Sequence, residues 1–62
     1  MKPFTATEWR DLARGARALA NQCAADRDRN KSTSMEAFFE AARKKQLDLA
    51  QRCEEMAKRA PD

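Results

Sequence analysis

Twice in this chain a threonine stands three residues ahead of a glutamate at the head of an apolar-periodic run, first as Thr5-Ala6-Thr7-Glu8 and then as Thr33-Ser34-Met35-Glu36. This spacing is the capping box. The threonine hydroxyl accepts from a first-turn N–H that has no helical partner, and the glutamate carboxylate reaches back to the N–H of the cap residue. Two such starts in 62 residues restrict the chain to two helices and one hinge. The spacing predicts a single domain over residues 1–62, with a helix over about 6–27, a hinge over about 28–33 and a helix over about 34–60.

Periodicity supports this division. Trp9, Leu12, Ala16, Leu19 and Cys23 recur at steps of three and four, and Ala13 and Ala20 widen the stripe. Phe4, just before the Thr5 cap, and Trp9, at the fourth helical position, form a candidate hydrophobic staple. Gly15 interrupts the run at a cost of about 1 kcal/mol; a tolerated surface position accounts for it more simply than a close helix crossing. Between Asp26 and Ser34 there is no large apolar residue. Asn30 can take the left-handed conformation that ends a helix. In the second helix Met35, Phe39, Ala42, Gln46, Leu49, Cys53, Met56 and Ala60 repeat the pattern, Phe38, Ala50 and Ala57 extend it, and Pro61 stops it. Gln46 falls near the centre of this seam, and Leu47 points away from it.

A hinge this short favours antiparallel neighbours. The expected fold is therefore all-α, a two-helix antiparallel hairpin. Each stripe is broader than one neighbouring helix can cover, and a chain this small hides only a modest fraction of its surface. We therefore expect two hairpins to dimerise into a four-helix bundle. Trp9, Leu12, Phe38, Phe39, Gln46, Leu47, Leu49 and Met56 are the candidate dimer or partner contacts, with Gln46 from the two copies meeting near the symmetry axis as a polar register device.

The chemistry of the chain excludes more than it suggests. There is no histidine or tyrosine, so the usual neutral-pH proton shuttle is missing and a nucleophilic cysteine has no imidazole base. Glu54 and Glu55 are adjacent and diverge on a helix. Cys23 and Cys53 form no CxxC pair, and a hairpin hinged near residue 31 sets them far apart, so a disulfide and a zinc site within one chain are not expected. No enzyme activity, cofactor or metal is expected. No apolar run approaches the length of a membrane span and no secretory leader is recognisable, which makes a cytoplasmic protein the expectation.

Thirteen Lys and Arg oppose ten Asp and Glu, a net charge of +3. That modest excess assists approach to an anionic partner without requiring one. Arg10, Arg14 and Arg17 share one face of the first helix, opposite the apolar stripe, at a spacing suited to phosphates; a solvated face needs the same letters, and no aromatic is interleaved to stack bases. Arg27, Arg29 and Lys31 precede Ser32, Thr33 and Ser34 at the second helix start, where cations, hydroxyls and free N–H groups describe an anion pocket. Ordinary capping explains those residues as well. Lys45, Arg52 and Arg59 share an edge at spacing seven, with Asp48 and Glu55 between them. The expected function is a small protein-interaction module, a homodimeric helical regulator, adaptor or inhibitor of another protein. The alternative is a binder of RNA, DNA or a phosphorylated nucleotide ligand through the basic face or the hinge.

Overall fold

The computed structural model describes residues 3–61. Two helices, α1 (Ala6–Arg29) and α2 (Ser34–Arg59), pack against each other as a hairpin measuring 45 × 19 × 13 Å. The predicted helix over 6–27 thus runs two residues further, the hinge contracts to 30–33, and α2 ends one residue early, with Ala60 as its C-cap.

The first capping box is complete. Thr5 Oγ1 accepts from the Glu8 N–H at 3.2 Å, and the Thr5 N–H donates to Glu8 Oε1 at 3.0 Å. Phe4 and Trp9 meet edge to face, with ring centroids 5.0 Å apart, as the staple requires. The second box does not close, although its threonine still caps the helix. Thr33 Oγ1 accepts from the Met35 N–H at 3.2 Å, but the Thr33 N–H donates to the Asn30 carbonyl at 3.1 Å instead of to Glu36. The hinge turn has already satisfied the donor that Glu36 would have reached.

Asn30 does not take the left-handed conformation expected of it. Its φ is −112°, and its side-chain amide caps α1 by donating to the Asp26 carbonyl at 2.7 Å. Ser32 turns the chain instead, at φ 67°. This is a region that L-residues with a Cβ enter only at a cost, and the short polar hinge confines it to one residue.

The centre of the hairpin differs from the expected stripe. Ala13, Ala20 and Ala50 are each 1 % exposed, and Ala6, Ala16, Cys53 and Ala57 are buried with them, while among the described residues no large side chain is fully buried. Leu12 is 46 % exposed, Leu19 55 %, Leu49 48 % and Phe38 61 %, with Met35 and Met56 also largely open. Trp9, Phe39 and Gln46 are half-buried, and Trp9 packs on the cluster of Ala13, Ala16, Ala50 and Cys53. Ala13, Ala20, Ala50 and Ala57, expected only to widen the stripe, lie at its centre with Ala16 and Cys53, and the leucines are its flank. Interhelical distance follows the side chains at the contact line, so an alanine line draws the backbones together and turns longer neighbours outward.

Cys53 lies in this core, Cys23 is half-buried, and both are free thiols. At the open end the Ala6 N–H donates to the Pro61 carbonyl at 2.9 Å, joining the start of α1 to the segment after α2. No helix among the described residues is long and apolar enough to cross a membrane.

Candidate functional site

The alanine seam separates two flanks. On one, Trp9, Leu12, Ala16, Leu19, Gln46, Leu49 and Cys53 line an open groove of about 440 Å³, with Asp11 and Gly15 at its margin. Trp9 also borders a second hollow of about 420 Å³ at the open end, walled by Phe4, Met56, Ala60 and Pro61, with Arg59 at its edge. The two hollows share the indole, so a continuous apolar trough runs from the open end past the middle of the rod. Heptad spacing carries the same face towards the hinge, through Met35 seven residues before Ala42 and fourteen before Leu49. Phe38, in edge-to-face contact with Phe39, lies on the same outer edge.

Gln46 sits in this trough, and its Oε1 is buried without a hydrogen-bond partner among the described residues. A buried amide oxygen lacking a donor costs roughly 1–3 kcal/mol, so the groove carries an unmet polar demand at its centre. Gly15 opens onto free space: a Cβ added there meets nothing within 4 Å. The expectation of a tolerated position, with no close crossing inside the hairpin, agrees with this. Leu47 is exposed on the other flank, where Glu40, Leu47 and Glu54 recur every seven residues.

That other flank is charged. Arg10, Arg14 and Arg17 surround a small cleft with Ala13 and Glu54. They are not opposite the apolar stripe, as the helical wheel implied, but beside the seam, close enough for Arg17 to donate across it to Glu54. This contact raises the Arg17 pKa above its ordinary value, first through the hydrogen bond and then through the charge of Glu54. Arg14 approaches Asp11 at 4.0 Å. The row of arginines is therefore threaded with carboxylates.

The proposed anion pocket at the hinge is occupied in the same manner. Arg27 belongs to α1 and crosses the seam to Glu40, donating at 2.8 Å to Oε2, and also contacts Asp28. Arg43 donates from Nε to Glu40 Oε1 at 2.6 Å. Glu40 thus accepts from two guanidinium groups, with Arg43 contributing most to holding its carboxyl below the ordinary value, while partial desolvation opposes the shift. Arg29 turns back to Asp26 at 3.5 Å. Thr33 Oγ1 is taken up by its own cap and by a 2.6 Å bond donated to the Asn30 carbonyl. Lys31, Ser32 and Ser34 stand exposed beside it. Among the described residues, no group of three His, Cys, Asp or Glu side chains comes together to hold a metal ion.

Sequence reasoning named Trp9, Leu12, Gln46, Leu49 and Met56 of the trough lining as contacts, but it missed Leu19, Gly15, Ala16 and Cys53 in the groove and Phe4 and Arg59 at the open end. Leu19 was hidden by its assignment to the seam; its spacing of seven from Leu12 was the available signal. No protein-family model, curated protein or solved structure matches this chain.

Proposed function

We propose that this protein is a non-enzymatic interaction module: two copies associate through their apolar troughs into a four-helix bundle, and the charged flanks remain outside to dock on another protein. The observation that supports this reading is the one-sided distribution of large apolar side chains. Leu12, Leu19, Leu49, Met56, Met35 and Phe38 are each more than 40 % exposed, and they follow one face. Completing the burial of a half-exposed leucine or methionine stabilises by roughly 1 kcal/mol, and a two-fold partner collects that gain on both copies. A core of alanines and one cysteine supplies little on its own.

The charged flank favours a protein partner over a nucleic acid. A phosphate backbone is met by cations that are not neutralised, whereas Arg17 is engaged by Glu54, Arg27 and Arg43 by Glu40, and Leu47 stands exposed among them. A mixed, partly apolar surface of this kind complements another mixed surface.

Sedimentation of the native chain and of the double variant Leu19→Asp, Leu49→Asp tests the association. A dimer at micromolar concentration that becomes a monomer in the variant is expected; a native monomer that stays well folded overturns the reading. For the partner class, bait chains with and without Arg14→Glu are passed over a lysate, and the eluates are stained for protein and nucleic acid. Recovery of nucleic acid that falls steeply with salt and is lost in the variant would transfer the function to nucleic-acid binding.

A further inference from the structure

The margins of the trough carry opposite charge on its two sides. On α1, Asp11 borders the groove beside Gly15, Glu8 lies seven residues before Gly15 on the same edge, and Asp26 lies seven residues after Leu19. On α2, Arg59 borders the open-end hollow, and Arg52, Lys45 and Phe38 precede it at successive steps of seven. At 100° per residue these positions stay on one edge of their helix through several turns. Asp48 and Glu55 lie between the α2 cations, with Asp48 3.0 Å from Arg52, and Arg29 stands 3.5 Å from Asp26, so the α1 margin is acidic on balance and the α2 margin carries a smaller basic excess.

This asymmetry chooses between the two ways of stacking a pair of troughs face to face. With the two-fold axis across the rod, α1 lies over α1 and α2 over α2, so that each margin meets its own charge. With the axis along the rod, α1 of each copy lies over α2 of the other. Within the hairpin, Ala6 is level with Pro61, Arg17 with Glu54 and Arg27 with Glu40. An axis along the rod preserves those levels between copies. Glu8 then comes beside Arg59 of the second copy, Asp11 lies between its Arg52 and Arg59, and Asp26 is near its Lys45.

We infer that the trough is covered by a second copy of this chain oriented the same way along the rod, with both hinges at one end and the acidic margin of α1 against the basic margin of α2. The inference rests on the dimeric reading above and adds its orientation. Each exposed pair is weak alone. The choice of arrangement depends on the difference between them, and each margin changes from attraction in one to repulsion in the other. Neighbouring helices are antiparallel in both arrangements, so the helix dipoles do not separate them and the margins decide.

Pulsed dipolar spectroscopy on a chain with Cys23→Ala, Cys53→Ala and a nitroxide at Lys31→Cys measures the separation of the two hinges. Layers spaced at ordinary helix-packing distance put the labels within roughly 20–30 Å of each other in the inferred arrangement. The alternative separates them by nearly the 45 Å length of the rod. A short distance supports the inference, whereas a long one overturns it and leaves the dimer standing. A monomeric mass with no dipolar modulation overturns both.

The native chain provides a second measurement if the cysteine-free variant loses helicity. Equal amounts of ¹⁴N and ¹⁵N protein are mixed, joined by a zero-length carbodiimide and digested. A mixed-isotope link between Asp26 and Lys45 is expected. Mixed-isotope links confined to other pairs, in a sample that sediments as a dimer, overturn the orientation.

Discussion

Two flanks of one alanine seam are made from opposite chemistry. On the trough side the long side chains are apolar and find nothing within the hairpin to cover them; on the other side they are charged and find each other, Arg17 with Glu54 and Arg27 with Glu40 and Arg43. One flank is complete within a single chain. The other leaves its large apolar side chains open within the single chain. The contrast shows that helix pairing and surface chemistry are separable here, because the seam is narrow enough to be filled by methyl groups.

The greatest effect is expected where the incomplete flank is charged. Leu19→Asp with Leu49→Asp places four carboxylates in a paired trough and should weaken self-association by at least about 100-fold, read by sedimentation over a concentration series. Next is the seam itself. Ala50, at 1 % exposure, has no room for a longer side chain, and Ala50→Leu should destabilise the fold by about 1–3 kcal/mol in thermal melts. If the variant instead gains stability, the two flanks are not divided by a close-packed line.

Gly15→Ala should act in the opposite direction. Its Cβ meets open space, so the gain in helix propensity should stabilise by about 0.5–1 kcal/mol. A loss would mean that whatever covers the trough approaches the α1 backbone at this point. That outcome sharpens the comparison without changing its sense.

On the charged flank the expected effects are smaller and depend on pH. Glu40 has its carboxyl lowered from the ordinary 4.5, chiefly by Arg43 and then by Arg27. Its stabilising contribution is therefore fully present above pH 4.5 and is lost as the pH falls through its lower folded value. Melting temperatures of the native chain should fall more steeply below pH 4.5 than those of Glu40→Gln, and the variant should be the less stable of the two at neutral pH. Arg17→Ala removes an exposed pair and should give the smallest shift, diminishing further in salt.

What could be read from the letters follows the range of the forces involved. The Thr5–Glu8 box and the Phe4–Trp9 contact lie within one turn of helix, so local sequence determines them. The Thr33–Glu36 box had the same spacing, but it stayed open: Thr33 caps Met35, and its own N–H goes to the carbonyl of Asn30, a residue outside the motif. Helical phase correctly joined Leu12, Leu19, Leu49 and Met56 to one side. It does not say which member of a stripe lies on the contact line, because that depends on how near the second helix comes, and alanines decide it only once both helices are present. The cross-seam partners of Arg17 and Arg27, 37 and 13 residues away in sequence, depend on the register of the hairpin, which no single helix encodes.

The bond from the Ala6 amide to the Pro61 carbonyl has a dynamic consequence. Helix ends ordinarily fray independently of one another, but here the Ala6 amide loses its acceptor when either the leading turn of α1 or the segment after α2 lets go. Deuterium uptake at that single amide therefore reports the looser of the two ends.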